Sequence, residues 1–320
     1  MAALSRPWCD FDRRSNVRIL VTGGAGFIGS NLARLLAAQH EIIVVDDFSS
    51  AHWTNLVDFH GDVLTLDLSA DLAPLRRLEP CAAIFHQASI TDTTITDQQR
   101  MMFNNLEGFR NVLDLARDWN SIVVFAGSAS VYGQVPAPMK ESTAPWPMNA
   151  YAYSKLAMER LADHYRQKLK NPIVGLRYFN VYGPGEDHKG KFASMIHQLA
   201  KQIRSGKRPR IFTAGQQRRD FVYIDDVVQA NLKALNSTRS GIFNVGSGAS
   251  YTFNQVVAEL NRALKTDLQP DYFTNPYTFT QDWTEADLTE SRRCLSYDPQ
   301  FNLTRGIEAY LSTGRLGVSN

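Results

Sequence analysis

Tyr151-Ala-Tyr-Ser-Lys155 sets a phenol and an ammonium four residues apart, the spacing that brings two side chains onto one face of a helix. A lysine charge beside a phenol lowers the pKa of that phenol and lets it act as a general base or acid. Ser128 comes just after the apolar run Ile122 to Phe125, where its hydroxyl can polarise the same substrate oxygen. A Tyr/Lys pair at this spacing is common by chance. An upstream serine and a phosphate-cradling loop in the same chain make it specific.

That loop is Thr22-Gly23-Gly24-Ala25-Gly26-Phe27-Ile28-Gly29. Glycines 23, 26 and 29 provide a tight turn, close backbone approach and close helix packing, so that helix N–H groups face a pyrophosphate. Asp46 ends the next apolar run and can accept from ribose hydroxyls. The stretch Asp46-Asp47-Phe48-Ser49-Ser50-Ala51-His52 holds two acids and neither lysine nor arginine, which favours NAD over NADP. Asp67 has two readings, an adenine-edge acceptor or a helix N-cap. His86, after an apolar strand, reads as a core histidine.

These groups need a scaffold. Apolar runs Arg18 to Thr22, Ile42 to Val45, Ala82 to Phe85, Ile122 to Phe125 and Ile173 to Leu176 read as strands. Helical patterns lie between them, from about Phe103 to Trp119 and from Tyr151 to about Leu169. The alternation predicts an α/β fold with a doubly wound parallel sheet, which places Ser128 at the carboxyl end of a strand, where such sheets bind ligands. After residue 180 the rhythm loosens, which predicts a smaller lobe with some segments returning to the sheet. Residues 133–149, rich in proline, read as a rigid loop.

The chain has 320 residues, of which 44% are hydrophobic and 21% charged, enough to bury a full core. Its 34 lysines and arginines against 32 acids leave a net charge of +2, which speaks against nucleic acid or an anionic membrane as the main partner. No apolar run approaches the roughly 20 residues of a membrane span. Trp8, Cys9 and Asp10 stand where a signal peptide would be apolar, so a cytoplasmic protein is expected. Cys9, Cys81 and Cys294 are far apart and read as free thiols without metal-ligand spacing.

Together the motifs resemble the extended short-chain dehydrogenase/reductase family of nucleotide-sugar enzymes. The resemblance rests on the glycine loop, Phe85-His-Gln-Ala88, Asn105, Ser128 with Val131-Tyr-Gly133, Tyr151/Lys155, Arg177-Tyr-Phe-Asn-Val-Tyr-Gly-Pro184 and Arg219-Asp-Phe-Val-Tyr223. It implies an N-terminal extension (1–16), a Rossmann-type dinucleotide lobe (17–180, with later segments) and a C-terminal, mainly substrate-binding α/β lobe (181–320). It further implies cofactor contacts from Gly23, Gly26, Phe27, Ile28, Gly29, Asp46, Asp47, Asp67, Leu68, Gln87, Ala88, Ser89, Asn105, Tyr151, Lys155 and Val181, with a nucleotide sugar held between the lobes.

Within that family, Asp92-Thr-Thr94 followed by Met101, Met102 and Asn105, then His188-Lys189-Gly190, and then Asn275-Pro-Tyr277 leading to Thr284-Glu-Ala-Asp-Leu-Thr289 resemble the branch that inverts C6'' of ADP-glycero-manno-heptose. That likeness implies a homo-oligomer serving lipopolysaccharide assembly. It makes Lys189 a second acid/base beside Tyr151, with Lys191 as a neighbour that competes for the assignment. It implies substrate contacts from Thr93, Thr94, Ser128, Asn180, Lys189, Phe212, Arg219 and Tyr277. Arg219 suits a diphosphate, because a guanidinium binds phosphate oxygens bidentately; Arg218 beside it is expected to face solvent. Tyr277 is open between a phosphate contact and simple aromatic packing.

The chemistry calls for two proton-handling groups. Inverting an unactivated alcohol carbon needs hydride to leave to a nicotinamide, a transient ketone, and hydride return to the other face, where the oxygen occupies a new position. Two departures stand out. The branch often uses NADP with a cation in the ribose loop, which is missing here, and Lys191 replaces a frequent small hydroxyl residue. A UDP-hexose 4-epimerase is the alternative enzyme; it would leave Lys189 idle. A 4,6-dehydratase would carry Asp-Glu where this chain has Ala129 and Ser130. A non-catalytic dinucleotide sensor often lacks the tyrosine or lysine, and both are present.

Overall fold

The computed structural model describes residues 16–92, 97–212, 214–274 and 281–318. In chain order these run β1 (Arg18–Thr22), α1 (Phe27–Leu36), β2 (Glu41–Asp46), β3 (Asp62–Thr65), α2 (Ala73–Arg76), β4 (Ala83–His86), α3 (Gln98–Trp119), β5 (Ile122–Ser128), α4 (Ala150–Tyr165) and β6 (Ile173–Tyr178). There follow β7 (Asn180–Tyr182), α5 (Met195–Arg204), β8 (Arg210–Phe212), β9 (Arg218–Tyr223), α6 (Ile224–Leu235), β10 (Gly241–Val245), β11 (Ser250–Thr252), α7 (Phe253–Leu264), β12 (Asp271–Phe273), α8 (Thr289–Leu295) and α9 (Leu303–Ser312).

The main sheet has seven strands in the order β10-β6-β5-β4-β1-β2-β3, every pairing parallel. Alternate residues feed two separate cores, as the period of two in a strand requires. Ile19, Val21, Ile42 and Val44 face one core, while Leu20, Ile43, Val45 and Ile84 face the other. The second core is closed by Phe109, Val112 and Leu113 of α3 with Met158 and Ala162 of α4. The first receives Leu32 of α1 and Val227 of α6. Both faces are therefore covered, and the α/β doubly wound class is the observed one.

The sequence pattern understates several elements. α3 starts at Gln98 because Asp97 caps it, its side chain accepting from the Arg100 N–H; its first three residues, Gln98, Gln99 and Arg100, are polar and carry no apolar period. β5 runs on to Ser128, and its last three residues pair with Leu176, Arg177 and Tyr178. β6 continues past Leu176 because the charge of Arg177 is neutralised inside the fold. α4 ends at Tyr165, short of Leu169. β10 comes from beyond residue 240 and pairs with β6.

Two smaller sheets lie outside the main one: β11-β9-β7, and β12 paired with β8. They stand over the carboxyl edge of the main sheet and supply the other wall of a cleft. Among the described residues no helix is long and apolar enough to cross a membrane.

Candidate active site

Strand order reverses between β1 and β4, and the loops leaving these two strands meet there. Gly23 adopts a φ of +64°, and a Cβ at that position would stand 2.5 Å from the backbone nitrogen of Ala88. A Cβ on Gly29 would stand 2.1 Å from the carbonyl oxygen of Gly23, so helix and loop can close only on glycine. Gly26 is the N-cap of α1 and offers no side chain to its N–H groups, leaving them to face the cleft as an anion site. Ser89 Oγ, which also lines the cleft, is buried without a hydrogen-bond partner among the described residues. Uncapped donors, a glycine cradle and an orphaned hydroxyl fit a dinucleotide.

Asp46 is almost fully buried and accepts from the N–H groups of Ala25 (3.0 Å) and Phe48 (2.9 Å). Burial pushes its pKa up, and these two donors pull it back. The carboxylate thus braces the glycine loop while facing the cleft. Asp47 accepts from the N–H and hydroxyl of Ser49. Asp67 does the same for Ser69, a short turn of its own; it caps no helix, since α2 begins after Leu72, whose side chain makes no capping bond, and Asp71 accepts from the Ala73 N–H. Asn105 differs from a free ligand-binding amide. It accepts from the Ile90 N–H and donates to the Ile90 carbonyl and to Ser154 Oγ, so it fastens the loop after β4 to α4.

Asn149 caps α4, accepting from the Ala152 N–H, and the first turn of that helix brings Tyr151 beneath the end of β5. The phenol is hydrogen-bonded by Ser128, which draws its pKa down, but burial outweighs this and raises it. Lys155 lies under the ring, its Nζ 5.8 Å from the ring centroid, and donates to the Ala126 carbonyl at 2.8 Å. Burial lowers this ammonium to about 7, against the opposing charge of Glu159. Desolvation is the largest influence on both groups. His86 is a core residue, bonded to Thr22 Oγ1 at 2.8 Å and stacked on Phe109.

Lys189 and Lys191 both line the cleft and differ in burial. Lys191 is exposed, its Nζ over Phe192. Lys189 turns inward, its Nζ 5.8 Å from the ring centroid of Phe27, and burial lowers its pKa. Arg219 on β9 is desolvated to about 10 and lies over the Phe253 ring. Arg218 corrects the sequence reading: it is half-buried, bonded to Ser250 and placed over Trp283, because β11 pairs beside it.

All these groups converge on one cavity of about 1280 Å³, more than the upper end of the range for a single small ligand, about 1,000 Å³. Every described residue assigned above to cofactor or substrate lines it, including Leu68, Gln87, Asn180, Val181 and Phe212. Thr93, Thr94 and Tyr277 lie outside the described residues.

The sequence matches the family described as NAD dependent epimerase/dehydratase over residues 19–246. The chain belongs to the NAD-dependent epimerase/dehydratase family. ADP-L-glycero-D-manno-heptose-6-epimerase of Brachyspira hyodysenteriae is 37% identical over 309 residues, 91% of this chain and 96% of that protein. The structure of the Helicobacter pylori ADP-L-glycero-D-manno-heptose-6-epimerase matches with a TM-score of 0.88 at 37% identity, covering 98% of this chain and 99% of its own. Thermus thermophilus UDP-glucose 4-epimerase in complex with NAD matches with a TM-score of 0.84 at 28% identity, covering 94% and 100%.

This member of the epimerase family also uses residues the sequence reading passed over. Glu159 forms a buried two-point ion pair with Arg177 at 2.8 and 2.7 Å, directly behind Lys155. Its signal was available: it lies four residues after Lys155, and Arg177 is a lone cation in an apolar strand. Arg210 stacks on Phe273, 4.5 Å from its centroid, at the far end of the cleft; nothing in the local sequence announces that pair, since β8 and β12 are brought together by the fold.

Proposed function

We propose that this epimerase inverts C6'' of an ADP-linked glycero-manno-heptose, with NAD as its nicotinamide cofactor in preference to NADP. The observation that carries the reading is the inward turn of Lys189, which adds a second proton-handling side chain to the cleft that already holds Tyr151. A 4-epimerase needs only Ser128, Tyr151 and Lys155.

When bound, the nicotinamide supplies reversible hydride transfer at the sugar carbon. The chain supplies everything else. Ser128 hydrogen-bonds the reacting oxygen, Tyr151 exchanges its proton in one orientation of the sugar, and Lys189 does so in the other. Lys155, close to neutrality in its pKa, holds the end of β5 and answers changes of charge at the phenol. Arg219 takes the diphosphate, with Asn180, Phe212, Thr93, Thr94 and Tyr277 around the substrate.

On the cofactor side, the N-terminus of α1 takes the pyrophosphate and Asp46 the ribose hydroxyls. Asp46 and Asp47 would repel a 2′-phosphate, which is the reason for preferring NAD. Asp67 and Leu68 flank the adenine. The cleft then divides a dinucleotide lobe, 17–180 with the returning β10, from a substrate lobe within 181–320. The reading extends to a homo-oligomer acting in the cytoplasm on a precursor of lipopolysaccharide.

The test is incubation of the purified protein with ADP-D-glycero-β-D-manno-heptose, product configuration being read by NMR, with UDP-galactose in parallel. Conversion to the L-glycero epimer without added cofactor is expected. After removal of the nucleotide, NAD should restore activity better than NADP. No conversion with either cofactor sinks the assignment, and turnover of UDP-galactose alone moves it to a 4-epimerase.

A further inference from the structure

The loop that carries Lys189 is tied at several points, by Asn55 to His188 at 3.0 Å and by Gln198 to the Lys191 and Ala193 carbonyls at 3.1 and 2.7 Å, and its two ends are bridged by one buried side chain. Glu186 has no exposed surface. Its carboxylate accepts from the Gly183 N–H at 3.1 Å and the Ser194 hydroxyl at 2.9 Å, and also from the Ser194 N–H. Gly183 is the first residue after β7, and Ser194 is the N-cap of α5. One carboxyl group thus clasps both ends of the turn that contains Lys189, whose own N–H donates to the Glu186 carbonyl at 2.9 Å. The turn needs such a clasp. It contains Gly190 at a φ of +53° with nothing within 4 Å of a would-be Cβ, so packing does not hold that point of it in place. Among the described residues Lys189 has no ion-pair partner.

We propose that Glu186 is the positioning residue for Lys189, holding its loop against the cleft and providing the negative charge that keeps a proton available on it. The proposal rests on the reading of Lys189 as the second acid/base. The titratable groups that act on the carboxylate are Lys189 on its own turn, Tyr182 on β7 and Tyr310 on α9, whose hydroxyl hydrogen-bonds it; Asp187 and His188 adjoin it in the chain, and His197 on α5 lies beyond Tyr310. His197 and Tyr310 are bonded to each other at 2.8 Å. Of the groups acting on Lys189, Glu186 is the one that favours its charged form, against the cost of burial.

The experiment compares Lys189→Met, Glu186→Gln and Ser194→Ala with the unaltered protein, used as purified, on ADP-D-glycero-β-D-manno-heptose. Circular dichroism and thermal melting check folding. Glu186→Gln is expected to lower kcat by about 10- to 100-fold, the effect of misplacing a reacting group, with KM changed by less than about twofold. Losing the negative charge leaves the ammonium less stabilised. Burial raises the Glu186 carboxyl to about 7, so it is above that pH that the limb of the rate–pH profile set by Lys189 should move to lower pH, by about one unit. Ser194→Ala removes only the hydroxyl contact, leaving both backbone N–H donors and the charge, and should lower kcat less than Glu186→Gln without moving that limb.

A fully active Lys189→Met overturns the acid/base reading and the proposal with it. An inactive Lys189→Met beside a Glu186→Gln with unaltered kcat and pH profile overturns the proposal alone. Where Glu186→Gln does not fold, Glu186→Asp, which keeps the charge but shortens the reach to Gly183 and Ser194, takes its place: unaltered kcat overturns the proposal, and reduced kcat at constant KM supports it.

Discussion

Tyr151 and Tyr153 are two residues apart on one helix, and the fold gives them opposite environments. Tyr151 lines the cleft under Ser128, whereas Tyr153 is 49% exposed. Proton transfer by a positioned group contributes about 10²- to 10⁴-fold to a rate, so Tyr151→Phe should lower kcat by about that range while substrate binding persists. Tyr153→Phe, a surface change away from any buried network, should leave kcat within about twofold. Steady-state rates on the two variants check this, and equal losses would mean that helix integrity, not the Tyr151 hydroxyl, is being measured.

At the level of elements, the site depends on how α4 is fastened to β6. Glu159 and Arg177 have side chains only 6% and 5% exposed, and the guanidinium also stacks on Tyr132, 4.7 Å from its centroid. Such a pair adds little net stability over an apolar one, but removing one partner strands a charge in the interior at a cost of about 3–5 kcal/mol. Glu159→Gln is therefore expected to lose about that much stability, read from the urea midpoint at unchanged m-value. It also removes the opposing charge behind Lys155, so the proton on Lys155 should be lost at lower pH. A midpoint close to that of the unaltered protein would show that the pair is not holding the helix.

Across the whole molecule, buried carboxyl groups fasten the late segments to β9 and α6. Asp220 accepts from the N–H groups of Ser247, Gly248 and Ala286, and Asp226 from those of Gln300 and Phe301. Burial pushes Asp220 up to about 6 and Asp226 up to about 7, in each case against these donors. A carboxyl group whose folded pKa lies above its unfolded value of 3.8 binds an extra proton in the folded state over the interval between them. The stability it contributes is complete below the unfolded value and is lost as pH rises through the folded one. Asp226→Asn, which keeps an acceptor and removes the titration, should become more favourable relative to the unaltered protein between pH 5 and 8. Urea midpoints at both ends of that range test the sign, and a difference independent of pH would refute it.

Local features were legible in the chain itself. Glycine spacing in residues 23–29, the acid closing β2, and Tyr151 with Lys155 four residues on depend on backbone geometry within one turn or one strand, and the structure places them on the elements expected. The alternation of apolar runs also sufficed for a parallel sheet covered on both faces. Contacts between distant segments were another matter. That β10 returns to pair with β6, that Arg218 is held by β11, and that Asn105 is spent on Ile90 and Ser154 follow from pairings no spacing rule encodes. The electrostatics belong to the same class. Lys155 and Tyr151 are shifted chiefly by desolvation, and Lys189 parts from Lys191, which also lines the cleft, by the burial of its ammonium beside Phe27. A charge's free energy depends on how much water the rest of the chain removes from it, which only the assembled tertiary structure decides.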